Sequence, residues 1–286
     1  MADNGHYYTL EAEPAHEGGL VQARANKHLP SVTTIMSIIN KEAINNYRVR
    51  SMLEAALTLP RHRDESDDDF IARLYTDADQ ARSKAAETGT LFHSVLESYF
   101  KTNEFNTRWL PPQYYPTAMM VKDTLDELNL SGSPEVSFAS HRYGYGGTVD
   151  LIGFDHTNAP VIVDYKTQDV KETLKSGLPK FVFYPEWASQ LAAYRCAIGD
   201  APNLEAFRDA TCISFAISSN PKIPGCKVKV WKETAKNQMS LSRGWEVFIA
   251  AATLYYAKHD LTLPPRNVNT YIKYCVIENP IIQLTS

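Results

Sequence analysis

The chain has 286 residues, enough for one large domain or two small ones with an ample core, and its formal net charge of −4 argues against a protein that coats polyanions generically. Phosphates could still be held, since a divalent metal and a local basic groove neutralise what the whole surface would repel. No apolar run approaches the roughly 20 residues needed to span a bilayer, and the polar start (Met1 to His6) does not read as a signal peptide, so an intracellular, cytoplasmic protein without membrane contact is expected.

In chain order, residues 1–30 read as an irregular or hairpin-like lead-in ending at Pro30. Ser31 or Thr33 can cap a helix whose Ile35, Ile38 and Ile39 recur at helical spacing. A second helix is predicted from about Glu42 to Leu57, offering Tyr47, Arg48 and Arg50 to phosphates, and Pro60 stops it. The charge run 61–69 reads as a solvated loop leading into a capped helix, which resumes near Phe70 and continues to Lys84 or beyond. Gly89-Thr90 then opens a separate helix bearing His93 and Glu97, one turn apart on one face, with Leu91, Val95 and Leu96 on the packing side. Residues 103–117, rich in proline and aromatics, form a loop whose rings either stack on bases or pack the loop onto the core. A helix over about Thr117–Leu128 and a strand over Pro134–Phe138 follow. Glu135 on that strand either lines a site or is a strand-end charge.

Residues 144–167 organise the rest. Gly-Tyr-Gly-Gly-Thr-Val-Asp-Leu-Ile-Gly-Phe, a short polar connection and Val-Ile-Val-Asp-Tyr-Lys-Thr predict a β-hairpin with a medium loop. Its first strand is read as ending in Asp150. On the second, Asp164 and Lys166 share a face while Tyr165 takes the other, and Val161 to Val163 suit a strand buried on both sides. Two acids and a lysine there are costly to bury unpaired, which points to a metal ion. Beyond them, Lys171, Lys175 and Lys180 give a mobile basic loop suited to backbone phosphates. A helix over Trp187–Ile198 puts Gln190 and Tyr194 on one face. Strands at Thr211–Ser218 and Lys227–Trp231 precede a helix from about Lys236 to His259 with Trp245, Phe248, Leu254 and Tyr255 in the core. The tail after Pro264 carries no clear pattern. Cysteines 196, 212, 226 and 275 are too widely spaced for a zinc ribbon or a disulfide framework, so reduced buried thiols are expected.

The pattern Asp150…Asp164-Tyr165-Lys166 resembles the PD-(D/E)XK nuclease signature. Gly89-Thr-Leu-Phe-His93-Ser-Val-Leu-Glu97 before it and Gln190-Leu-Ala-Ala-Tyr194 after it are similar to the RecB-like branch, in that branch's order. Pro30-Ser31-Val32-Thr33-Thr34-Ile35 further resembles phage exonucleases and the mitochondrial genome maintenance exonuclease. The resemblance implies an α/β fold: a restriction-endonuclease-like mixed central sheet flanked by helices, with N-terminal helical material capping the site. It implies one nuclease domain over 1–286, with a lead-in and cap (1–88), a catalytic core (89–199) and C-terminal strands and helix (200–286).

The implied activity is metal-dependent hydrolysis of DNA from a free end. Asp150, Asp164 and Lys166 would be catalytic, and His93, Asp150, Asp164 and the carbonyl of Tyr165 would hold one or two Mg²⁺ or Mn²⁺ ions. Glu97 would be an outer acid or a helix-surface charge, and Glu135 resembles the acid that often precedes the first catalytic strand. Gln190, Tyr194, Ser31 and Thr33 would meet DNA or orient ligands, with a plain helix cap the alternative for Ser31 and Thr33. Relatives with an iron–sulfur cluster carry closely clustered cysteines, so none is expected here. Competing readings are an endonuclease or helicase-associated repair nuclease of the same fold, and a degenerate module that only binds nucleic acid. The chain has no Walker A motif, so a motor, or any replication or recombination protein, would be a separate partner.

Overall fold

The hairpin that the β-branched runs specify is the centre of the sheet. A computed structural model of the chain describes residues 5–39, 42–261 and 270–273. Its strands are β1 (Tyr7–Tyr8), β2 (Leu29–Pro30), β3 (Ser131–Ser140), β4 (Tyr145–Phe154), β5 (Pro160–Gln168), β6 (Thr211–Ser218), β7 (Cys226–Trp231) and β8 (Thr270–Lys273). The helices are α1 (Gly19–Asn26), α2 (Val32–Met36), α3 (Glu42–Thr58), α4 (Asp67–Thr102), α5 (Tyr115–Leu128), α6 (Pro185–Gly199) and α7 (Leu241–Lys258). The main sheet runs β7-β6-β5-β4-β3-β8. It is mixed: β5 and β6 are parallel and the other neighbours antiparallel.

Alternation along β5 divides the core in two. Ile162 packs on the side of α2, α6 and α7, while Val161, Val163 and Tyr165 pack on the side of α4 and α5. Buried on both faces, β5 is the doubly covered strand its composition predicts. Pro185 starts α6 at a position where its missing N–H costs nothing, and the following run lies almost wholly buried across the sheet. The lead-in docks on the same body: Tyr8 Oη lies 2.9 Å from Thr148 Oγ1, and Tyr7 Oη lies 3.0 Å from Tyr255 Oη.

Two expected helices are one. Ser66 accepts from the Asp69 amide, Asp67 to Asp69 complement the dipole of the first turn, and α4 then runs unbroken for 36 residues through Gly89. Gly89 is therefore a contact residue, not a helix start. A Cβ there would lie 2.9 Å from Thr167 Oγ1, so its absence lets α4 approach the end of β5 beside Lys166. The expected basic loop is largely charge-compensated: Lys180 pairs with Glu172 at 2.7 Å, and Lys171 lies 3.7 Å from both Glu54 and Asp169. The loop before α5 packs one of its aromatic rings onto the core and leaves another at the surface. Tyr114 packs inside against Phe92, whereas Trp109 is exposed beneath the Arg108 guanidinium. Cys196, Cys212 and Cys226 are free thiols. The side chains of Tyr47, Arg48 and Arg82, together with Cys275 and the tail after Pro264 apart from 270–273, lie outside the described residues.

Candidate metal centre and nucleic-acid cleft

The first strand of the hairpin does not end at Asp150 but runs on to Phe154, paired on both sides, and regular alternation along it would not bring the acids together; a kink does. On β4, Tyr145 and Val149 face the α6 side, yet Leu151 faces α4 and Ile152 returns to the α6 side, so the strand rotates at Asp150. Across the ladder, pairing is kept on either side, Val136 with Val149 and Pro134 with Leu151, while Glu135 between them stands at φ 52. A glutamate in the left-handed region costs on the order of 1–3 kcal/mol, a strain the flanking ladder holds in place. The distortion turns Glu135 and Asp150 to α4. His93 Nδ1 lies 3.5 Å from Asp150 Oδ1 and 4.0 Å from Glu135 Oε1, and one donor atom from each of the three falls within 4.8 Å of the others.

Asp164 stands beside this group on β5. Its Oδ1 accepts from Lys166 Nζ at 2.7 Å and from Gln190 Nε2 at 3.1 Å. Gln190 Nε2 also donates to Tyr194 Oη at 2.7 Å, so α6 fixes the carboxylate through the Gln190–Tyr194 pair. The other oxygen, Oδ2, is buried and has no hydrogen-bond partner among the described residues. Tyr165 joins the site through its backbone, its amide donating to Asp150 Oδ2 at 2.6 Å. Its ring packs on the α4 side, edge-on to His93 and Phe215.

Burial and neighbours set the charges. Burial pushes Asp164 up to about 6, with Lys166 opposing the rise and the Asp150 charge adding to it. Burial also works to raise Asp150, but the hydrogen bond and charge of His93 outweigh it and hold the carboxyl below its usual range. For His93, burial disfavours the imidazolium, yet the Asp150 and Glu135 carboxylates facing its Nδ1 prevail and push it up to about 10. An imidazole between two carboxylates, with an orphaned carboxylate oxygen alongside, is a donor set suited to a divalent cation. Such a cation would take the place of the His93 proton.

The remaining sequence candidates divide. Glu97 pairs with Lys101 one turn along α4 and is not in the three-donor group, which fits the helix-surface reading. Ser31 is buried as the N-cap of α2, accepting from the Thr34 amide at 3.0 Å, while Thr33 is exposed with its hydroxyl 3.0 Å from that of Ser31. Glu135, read as optional, stands in the donor group itself. The signal was present: antiparallel pairing of its strand with the hairpin puts position 135 across from 150. Beside the centre opens a cleft of about 660 Å³ lined by Lys166, Arg50, Lys171, Lys180, Tyr184 and Trp187 among others.

Three acids, an imidazole and a strand-end lysine meeting at the kinked hairpin of a mixed sheet form a candidate centre for metal-assisted hydrolysis. The chain belongs to the PD-(D/E)XK nuclease superfamily, whose family profile matches residues 69–253 and so takes in α4, the sheet from β3 to β7, α6 and most of α7. Members are divalent-metal-dependent nucleases with DNA as substrate. No curated protein sequence matches the chain. Among the described residues no helix is long and apolar enough to cross a membrane.

Proposed function

We propose that the chain is a DNA exonuclease of the RecB-like branch, similar to phage exonucleases and the mitochondrial genome maintenance exonuclease. It takes a free end and prefers a single strand. The observation that supports this reading is the placing of α3 at the cleft wall. Arg50 of α3 lines the same cleft as Lys166, and Glu54 one turn on lies 3.7 Å from Lys171, which also lines it. In this reading α3 covers the opening. A covered cleft admits an end readily, whereas a closed circle has to displace the cover.

His93, Glu135, Asp150, the free oxygen of Asp164 and the carbonyl of Tyr165 would hold Mg²⁺ or Mn²⁺. Bound there, the cation supplies Lewis-acid charge to a phosphoryl oxygen and a lowered pKa to water. The chain's own groups do the rest. Lys166, held by Asp164 at the mouth of the cleft, presents an ammonium to the charge that develops on the phosphate. Gln190 and Tyr194 keep Asp164 from rotating, and the Tyr165 amide does the same for Asp150. Thr33 is the exposed member of the N-terminal hydroxyl pair and the one available to a phosphate.

The test compares linear with circular single-stranded DNA of one sequence under identical Mg²⁺ or Mn²⁺ and salt. Linear strands should disappear while circles persist. Equal rates would move the assignment to an endonuclease.

A further inference from the structure

The segment joining β5 to α6 is tied down next to Lys166 by a contact the catalytic motif does not include. Gln168, two residues past Lys166, turns its side-chain amide to the backbone of Val182: Nε2 donates to the carbonyl at 2.6 Å, and Oε1 accepts from the amide at 3.2 Å. One side chain thus offers Val182 what a neighbouring strand would. Tyr184 follows in extended backbone (φ −74, ψ 143), a conformation that Pro185 behind it favours sterically.

The two aromatic residues fixed in this way part company. Phe183 packs against Trp187 with Lys229 over its ring, and it does not line the cleft. Tyr184 meets Trp187 at 74° with ring centroids 5.5 Å apart, stays partly exposed, and lines the cleft together with Lys166 and Arg50. A partly exposed ring packed on a neighbour beside cationic side chains is the arrangement single-strand sites use, because every unpaired base offers a π-face whatever its identity. A paired base keeps both faces inside the duplex.

We propose that Tyr184 is the base-stacking residue of this cleft and that Gln168 is the positioning residue that holds it there, so that the cleft selects an unpaired nucleotide of single-stranded DNA. The inference rests on the DNA-nuclease reading above. It would make the strand preference a property of one ring rather than of the metal centre.

The test uses the whole chain in a chelating buffer, where no DNA is cleaved, and a single-stranded oligodeoxynucleotide carrying 2-aminopurine. Wild-type binding should quench the probe, and Tyr184→Phe should quench it equally. Tyr184→Leu should lose the quenching and bind about tenfold more weakly, about 1.4 kcal/mol. Gln168→Leu should weaken quenching when Tyr184 is present and change nothing further in the Tyr184→Leu background. On the wild-type chain the same sequence as a duplex should compete poorly.

Undiminished quenching and affinity in Tyr184→Leu, or equal competition by duplex, would overturn the stacking role. A Gln168→Leu loss that is the same in both backgrounds would overturn the positioning role. Wild-type chain that quenches the probe but cleaves no DNA with any divalent metal would overturn the nuclease reading and leave the stacking assignment supported.

Discussion

The β4–β5 hairpin and the helical segment from α3 to the start of α4, the cover of the proposed function, are built on opposite terms. In β5 nearly every residue from Val161 to Tyr165 is buried, and the polar ones are fixed by named partners on α6 and β4. In α3, Val49, Leu53 and Leu57 recur every four residues yet remain 57%, 60% and 86% exposed, and Ile71 and Tyr75 do the same at the start of α4. Among the described residues the ion pairs of this cover include Arg50 to Glu54 and Arg61 to Asp67 at the surface, Arg73 to a largely buried Glu65, and Glu54 across to Lys171. Exposed ion pairs contribute little to stability. The described contacts therefore put most of the support of the fold in the sheet. A nuclease that must hold its metal ligands to within fractions of an ångström and still admit a polymer needs both regions.

The sharpest way to break the comparison is at the centre of the hairpin. Asp164→Asn keeps the shape of the side chain but replaces a hard anionic ligand by an amide, so cleavage should fall at least about a hundredfold with the fold retained. Lys166→Ala should lower turnover comparably while sparing metal affinity, read by calorimetry. Wild-type turnover in Asp164→Asn would remove the hairpin from the active site altogether.

Stability should divide along the same line. Phe215, fully buried against the Tyr165 ring, should cost about 3–5 kcal/mol when cut to alanine. Leu53→Ser on the cover should stay within about 0.5 kcal/mol in either direction. Chemical denaturation of the two variants would decide. A large loss at Leu53 would mean that the cover packs against something the sheet alone does not supply.

His93 stands at the join, on α4 but facing the sheet. His93→Ala should weaken metal affinity by at least the roughly 10–100-fold that losing an outer-shell partner costs, and excess Mn²⁺ should restore part of the activity. Activity lost without recovery at any metal concentration would assign the imidazole a different role.

What the sequence conveyed and what it withheld follow the same division. The hairpin was legible because β-branched runs and a polar spacer leave few alternatives, and Asp164, Lys166, Gln190 and Tyr194 fell where period-two and period-3.6 reasoning put them. The acids across from one another were less so. Alternation assigns a face only while a strand stays regular, and Asp150 and Glu135 sit where this one rotates. Gly89 misled for a related reason: a glycine that permits close approach to Thr167 looks, in sequence, like one that ends a helix. The exposed Val49, Leu53 and Leu57 stripe shows the same limit, since periodicity reports amphipathicity and not what covers it. The Gln168 clasp has no sequence signature, because its partner is backbone.

The smallest expected change in stability carries the most information about the cover. Glu54 bonds Arg50 within α3 and faces Lys171 at 3.7 Å, both at the surface. Its carboxyl is held below its usual range first by the Arg50 hydrogen bond and then by the Lys171 charge. Glu54→Gln removes the charge and keeps the volume, so the melting temperature should not move measurably. The contact from roof to loop should nevertheless weaken, because an amide attracts Lys171 far less than a carboxylate does. If the cover is what excludes a closed circle, this variant should cut circular single strands faster relative to linear ones than wild type does. Raised salt, which screens the same exposed pair, should shift the wild-type ratio in the same direction. Were the ratio unchanged in the variant and across salt, the bridge between Glu54 and Lys171 would not be the closure, and discrimination by topology would have to come from the packing of α3 on α4.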